Sequence, residues 1–468
     1  MGGTCVDNPI SMRSFLQLLL LIAGALMADG ARGAPAPTAA EAGGLYNLDR
    51  CLKTALAQNH EILKARERIQ KNRGLVIEAR AASIPRAAIN VNLQQMDKDR
   101  IEIFNGMQFG TQNDWGVNLE VRQAIYTGGK VDSGIKRQKA LEEAAVVEMQ
   151  GTINDVLLEV RERFYAVLLA RSLLAVQEQN LQLLEEELRT EKYRFEAGTV
   201  PSFNVLRAEV SLANARPALI HARHQDRIAV EELRKAIGLA PPATGGARPA
   251  LEVEGQLGFE DYRVEVEQVL AAAATQRPDL RRIAKLVTAQ TQGLRNARTG
   301  YQPQVDAFAG YGADKSQFSS SLKDDTHGWI AGVRGSWDIF DGLATDGRVR
   351  QAKSELSLAV LDEEQLRLTV DVEVRRAHSA LVEAVDLVNA SRKVVEQAEE
   401  SLRLAKARFD VGAATQLDML DAQVALTRAR TNETQALYDF NVALARLNRA
   451  VGTDTYYTVK GLPEEPRS

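Results

Sequence analysis

Cysteine is almost missing from this sequence. Cys5 and Cys51 are the only two among 468 residues, too few for a zinc ribbon or a disulfide scaffold. Aromatic residues are scarce at 5%, whereas aromatics normally dominate the burial of a globular core. Neither sign of charge prevails. The 58 Lys and Arg against 62 Asp and Glu leave a net charge of −4, without the basic excess of a nucleic-acid binder, so nucleic acid is not expected as a partner. Past the N-terminus no stretch is apolar enough for a transmembrane helix, so a membrane could be crossed only with strands. Chemistry-bearing motifs are missing as well. His221 and His224 lie on one predicted helix without a third metal ligand. Gly310-Tyr-Gly-Ala-Asp-Lys315-Ser316 lacks the glycine before the lysine, and the helix after it, that a phosphate loop needs. No nucleophile elbow or zinc helix occurs. No enzyme activity, cofactor or metal is therefore expected. Bulk disorder is excluded too, because 45% of residues are hydrophobic and 26% charged.

The N-terminus reads as an export signal. Arg13 precedes an apolar run over 15–27, broken only by Gln17, and Ala31-Arg32-Gly33-Ala34 supplies a small-residue exit. The expected signal is 1–33, with Met12 as an alternative start. Cys5 precedes the apolar run, so it cannot be a lipidated cysteine after cleavage, and Cys51 remains alone.

The rest of the chain is written twice. Phe195 to Leu212 aligns without a gap onto Phe409 to Leu426, and Phe, Gly, Leu, Ala, Val and Leu recur at 195/409, 198/412, 206/420, 208/422, 210/424 and 212/426. The same offset of 214 joins Gly128 to Gly342 and Gly238 to Gly452. Upstream the offset becomes 218, from Pro85 to Pro303. So long a period is a duplication, not a solenoid. The plan is repeat one over 34–240, a Pro/Gly linker over 241–263, repeat two over 264–453 and a tail over 454–468.

Each repeat reads helix, strand, loop, strand, long helix, turn, long helix. The opening helices, about 48–82 and 264–299, stop before Pro85 and Pro303, which cannot continue a helix. The hydrophobic period then changes from 3.6 to 2. Ala87, Ile89, Val91 and Leu93 alternate with Asn90, Asn92 and Gln94, and Trp115, Val117, Leu119 and Val121 with Asn118, Glu120 and Arg122. Repeat two offers Val305, Ala307, Ala309 and Tyr311, then Trp329, Ala331, Val333 and Trp337. Strands are thus expected within 84–126 and 302–340, wet on one face and apolar on the other. Trp115, Tyr126, Trp329, Trp337 and Phe340 sit near strand ends, where a membrane-interface girdle belongs. Gly128, Gly129 and Gly342 turn each second strand into helix. Hairpins of long helices follow over 130–238 and 343–451. Val146, Met149, Ile153, Val156, Val160, Phe164 and Val167 step by three and four, a coiled-coil-like seam; Leu381, Val385, Val388, Val395 and Leu402 repeat it. The fold class is mainly α with membrane β, with four long rods and four membrane strands per chain.

Four strands cannot close a barrel, and open edges are forbidden in lipid, so either the protein is soluble or several copies share one barrel. Three copies give twelve strands, an even number within the permitted range. A periplasmic adaptor or a coiled-coil scaffold would also have long helices, but neither needs two pairs of Trp-bearing amphipathic strands.

With its duplication, Trp115-Gly-Val-Asn-Leu, Ile125-Tyr-Thr-Gly-Gly129, Trp337-Asp-Ile-Phe-Asp-Gly342 and the tips Phe195-Glu-Ala-Gly198 and Phe409-Asp-Val-Gly412, the chain resembles the TolC-type outer-membrane efflux proteins, the channel-tunnels. The resemblance covers about 45–453. It implies a homotrimer whose twelve-stranded barrel lies in outer-membrane lipid and continues into a periplasmic α-barrel. It also implies docking on a periplasmic adaptor with an inner-membrane RND, MFS or ABC transporter, for efflux or type I secretion. The polar loops 95–113 and 313–328 would be extracellular. Asp418 and Asp421 share one face at a helix start. The resemblance makes them a periplasmic entrance ring, and their position alone makes them ordinary carboxylates at a positive helix end. The turns Gly198-Thr199-Val200-Pro201 and Gly412-Ala413-Ala414-Thr415 are candidate adaptor-docking tips, and their glycines also serve as helix terminators. The family's tyrosine–arginine entrance latch falls on Phe409 and Ala414 here, so that latch is not expected.

Overall fold

A computed structural model describes residues 44–97, 99, 112–239, 251–315 and 325–452, and the backbone of 102–104 and 107–109. The expected signal 1–33, the 241–250 part of the linker, the tail 454–468 and much of both polar loops lie outside these residues.

Repeat one runs β1 (Gly44–Tyr46), α1 (Leu48–Gln58), α2 (His60–Ala81), β2 (Arg86–Gln95), β3 (Glu102–Phe104), β4 (Met107–Phe109), β5 (Asn113–Tyr126), α3 (Lys130–Glu196) and α4 (Ser202–Ala236). The short β6 (Leu251–Val253) follows and pairs with β1. Repeat two runs α5 (Val266–Gln276), α6 (Pro278–Arg298), a 3-10 turn at Thr299–Tyr301, β7 (Gln304–Lys315), β8 (Asp325–Ser336), α7 (Ala344–Asp410) and α8 (Gln416–Val451).

Two expectations change. The single opening helix of each repeat is two helices, broken at Asn59 and at Arg277. Both residues are extended, with φ/ψ of −64/128 and −62/124. Arg277 precedes Pro278, whose ring disfavours helix in the residue before it. Asn59 caps α2 by accepting from the Glu61 N–H at 2.8 Å. Second, the polar loop 95–113 carries the small antiparallel hairpin β3–β4. The rods are unequal, as the expected hairpin bounds 130–238 and 343–451 with tips at Gly198 and Gly412 imply. Helices α3 and α7 have 67 residues each, about 100 Å at ~1.5 Å per residue. Their partners α4 and α8 have only 35 and 36, about half that length. Helices α2 and α6 cover the stretch that these leave open on α3, and α6 also reaches α7.

The duplication extends to the cores. In one cluster α3 packs Val156, Val160, Phe164 and Val167 against Tyr46, Cys51, Leu52, Leu233 and Ile237. In the other α7 packs Val370, Val374 and Leu381 against Val269, Ala273, Leu447 and Val451. Val156, Val160, Leu233 and Ile237 sit 214 residues before Val370, Val374, Leu447 and Val451. The coiled-coil-like seam is, along the middle of α3, a seat for α1, β6 and the end of α4.

Candidate functional site

Four strands form one antiparallel sheet in the order β2-β5-β7-β8. Its register aligns side chains in rows across both repeats. Ile89, Leu119, Tyr311 and Trp329 make one row, and Val91, Val117, Ala313 and His327 the next. These rows share one face because antiparallel partners point the same way. The other face carries Asn90, Asn118, Gly312 and Gly328, then Arg122, Phe308 and Gly332, then Asp306 and Arg334. Glycines crowd this polar face, and a Cβ at Gly310 would sit 3.0 Å from the Leu119 carbonyl oxygen. Among the described residues β2 and β8 each pair on one side only, so both edges keep a row of unused backbone donors and acceptors.

Aromatic residues mark both ends of the sheet. Trp115 and Trp329 lie toward the loop end, and Tyr126, Trp337 and Phe340 at the helix end. Trp337 and Phe340 fall just past β8, which stops at Ser336, so they flank the strand rather than belong to it. The Trp337 indole N–H donates to the Tyr301 carbonyl at 3.2 Å, and the Tyr126 hydroxyl reaches Gln302 at 3.5 Å. The eight residue steps from Trp329 to Trp337 span about 26 Å at ~3.3 Å per residue.

Sheet becomes helix at matched glycines. Pro85 and Pro303 stand immediately before β2 and β7. After β5, Gly128 and Gly129 are left-handed, with φ of +61 and +86. After β8 the pair is Gly342 and Leu343, with φ of +66 and +69. Leu343 is the one non-glycine with positive φ among the described residues.

At the far ends of the rods the two tips are built alike. Gly198 and Gly412 have φ of +72 and +75. Thr199 N–H donates to the Arg194 carbonyl at 2.9 Å, and Ala413 N–H to the Arg408 carbonyl at 2.8 Å, closing both helices with the same turn. Val200 and Ala414 are half-buried, and Thr199, Pro201, Ala413 and Thr415 are exposed. The second halves differ. Pro201 precedes α4 without a side-chain cap, whereas Thr415 and Asp418 form a reciprocal capping box. Asp418 Oδ2 accepts from the Thr415 N–H and from its hydroxyl, each at 2.8 Å. These bonds hold the Asp418 carboxyl below its ordinary range, with Arg408 contributing less. Asp418 and Asp421 are both exposed, and the matched positions in repeat one are Asn204 and Arg207.

Two clusters escaped the sequence reading. Near the tips, Glu187 and Glu191 of α3 are buried, at 8% and 0% exposed. Gln416 of α8 donates to Glu187 at 3.1 Å and to the Asn204 carbonyl at 3.4 Å. Arg194 lies 4.6 Å over the Phe409 ring and pairs with Glu191 at 3.4 Å and Asp410 at 3.5 Å. Phe409 is therefore gripped from α3 although it is not a tyrosine.

The second cluster is at the helix breaks. Asn59 donates to the Ala236 carbonyl at 2.8 Å, and Arg277 donates to the Ala450 carbonyl at 3.4 Å. The acceptors are 214 residues apart, so each break docks onto the last turn of its own repeat. Gly238 and Gly452 make the close approach possible. A Cβ at Gly238 would lie 2.6 Å from the Gln58 carbonyl oxygen, and one at Gly452 3.1 Å from the Arg277 Cα. Arg277, 4% exposed, also binds Asp279 at 2.6 Å and Glu373 at 2.8 Å.

The family profile described as outer membrane efflux protein matches residues 51–239 and 269–453, one match per repeat. Outer membrane protein TolC of Escherichia coli (strain K12) is 23% identical over 424 residues, covering 87% of this chain and 82% of the relative. The alkaline protease secretion protein AprF of Pseudomonas aeruginosa is 21% identical over 383 residues, covering 80% and 77%. The crystal structure of the Campylobacter jejuni CmeC outer membrane channel superposes with a TM-score of 0.75 at 16% identity, covering 86% of this chain and 85% of that one.

Proposed function

From the premise that this chain belongs to the outer membrane efflux protein family, we propose that three copies close a twelve-stranded barrel and join their helices into one conduit. The protein is an outer-membrane channel component of an efflux or type I secretion system, and it reaches from the outer membrane into the periplasm. The observation that carries the trimer is the sheet. It is four strands wide, apolar on one face, polar and glycine-rich on the other, and open at both edges. Lipid tolerates the apolar face but not the edges. Pairing β8 of one copy with β2 of the next satisfies both, and three copies give an even-stranded barrel. The glycines leave room on the concave side.

The conduit is passive and carries out no catalysis. Asp418 and Asp421 of three copies ring its periplasmic entrance, where converging carboxylates favour cations. The exposed turns 198–201 and 412–415 are the docking tips for a periplasmic adaptor, which couples the channel to an inner-membrane RND, MFS or ABC transporter. The test is conductance in a planar bilayer after detergent extraction. Wild type should give cation-selective pores that a trivalent cation blocks, and Asp418→Asn/Asp421→Asn should conduct with weaker selectivity and escape the block. Equal block of both proteins would leave Asp418 a helix cap and Asp421 an ordinary carboxylate of the first turns. A protein that leaves the membrane in a salt wash and never conducts would end the channel reading.

A further inference from the structure

Near the tip of α3, two carboxylates are buried where a charged helix would ordinarily keep them wet. Glu187 and Glu191 lie one turn apart. In each, one oxygen has no hydrogen-bond partner, and the same holds for the amide oxygen of Gln416, 5% exposed on the facing helix. Acceptors outnumber donors in this contact. Within it the Gln416 amide of α8 donates to Glu187 of α3; the next α3–α8 hydrogen bonds lie further up the rods, from Gln423 and Thr427 to Asn180. The matched residues in repeat two are Ser401 and Ala405, so the pair is no part of the scaffold common to both hairpins.

The surrounding charges do not resolve the excess. On α3, Arg194 is shared between Glu191 and Asp410, and Lys192 is held by Glu209 of α4 at 3.0 Å. On α4, Arg207 draws the Glu187 charge weakly. On α8, Asp418 is occupied in its capping box and Asp421 faces outward. Burying an ionised carboxylate costs free energy unless it is paired, and two like charges one turn apart raise that cost. A proton on Glu187 removes one charge and turns an orphan acceptor into a donor. Burial pushes the Glu187 carboxyl above its ordinary range. The Glu191 charge adds to this, and the Gln416 hydrogen bond and Arg207 oppose it.

We propose that a proton on Glu187 locks the tip of α8 against α3, so that this contact is tight in acid and loosens as pH rises. The direction follows from linkage. A carboxyl that holds its proton more firmly when packed than when exposed favours the packed state below its exposed pKa. That advantage is lost as pH rises through the packed one. The consequence, an entrance that narrows in acid, rests on the channel reading above.

The test is spin-label distance measurement on the full-length trimer in detergent, with labels at Gln182→Cys and Val424→Cys, both exposed. The native Cys51 is buried and stays unlabelled. Wild type should show a short, narrow distance in acid that widens by several ångström with rising pH, at a midpoint above that of an exposed glutamate. Glu187→Gln, which keeps the donor and cannot ionise, should stay short and narrow throughout. Glu186→Gln, at the exposed neighbouring glutamate, should keep the wild-type response. The proposal is overturned if Glu187→Gln follows the wild-type curve, if the wild-type distance ignores pH, or if Glu186→Gln flattens it as Glu187→Gln does. It is also overturned if added calcium narrows the distance at high pH as acid does, since the ligand would then be a cation. Bilayer conductance of the same variants keeps the two readings apart. Absent conductance ends the channel, whereas the distances alone decide the proton.

Discussion

A Cβ at Gly128 and one at Gly342 would meet different surroundings although the two residues are the same turn in two repeats. Both have left-handed φ, which costs an L-residue about 1–2 kcal/mol. At Gly342 nothing lies within 4 Å, whereas at Gly128 the new carbon runs into Gln302, and such overpacking adds about 1–3 kcal/mol. Heating should therefore rank Gly128→Ala below Gly342→Ala, and both below wild type, in Tm. Leu343, already left-handed, shows that repeat two tolerates a side chain in this turn. Cys51 makes a second residue-level prediction. It is fully buried, and burial pushes its thiol up to about 12, so it should resist maleimide in the native protein and react fully in denaturant. The glycines were legible because a left-handed turn leaves few alternatives. The buried carboxylates were not, because Glu185-Glu186-Glu187 gives no sign of which glutamate α8 will cover.

At the scale of elements, the two helix breaks solve one problem with different chemistry. Repeat one uses the neutral amide of Asn59, and repeat two uses Arg277 with Asp279 and Glu373. Arg277→Met should cost about 1–3 kcal/mol, the range for leaving hydrogen-bonded charges without a partner. The cost is limited because Arg449 also approaches Glu373, at 3.7 Å. Asn59→Ala loses both a helix cap, worth about 1 kcal/mol, and the bond to Ala236. Amide exchange should report each locally. The last turn of α8 should exchange about tenfold faster or more in Arg277→Met, and the last turn of α4 in Asn59→Ala, with the other repeat unchanged in each. The duplication, the strands and the hairpin tips were all read from periodicity. The breaks were not, since the apolar spacing runs through Asn59 without a pause. Arg277-Pro278 did carry a signal, because a residue before proline leaves the helix region. The half-length of α4 and α8 was legible as well, because Gly198 with Gly238, and Gly412 with Gly452, bracket each returning helix in the sequence.

At the scale of the whole molecule, the sheet predicts its own surroundings. Its two faces differ by one residue in register, so neighbouring substitutions on β2 should have opposite fates. Val91 shares its row with Val117 and Ala313, and Asn92 with Gly116 and Asp314. If three copies close the barrel with the valine row outward, an arginine at Val91 faces hydrocarbon near mid-strand and costs about 2–4 kcal/mol per chain. Three chains bear that cost together, so Val91→Arg should fail to form heat-resistant trimers. An arginine at Asn92 faces water in the pore, so Asn92→Arg should assemble normally and shift conductance toward anions, because three new cations line the lumen. A soluble protein that buried the valine row in a core of its own would lose stability with Val91→Arg too, but Asn92→Arg would leave it without a pore to report. The pair of variants thus separates a barrel from a buried sheet: one residue decides whether the trimer forms, and its neighbour decides which ions cross it.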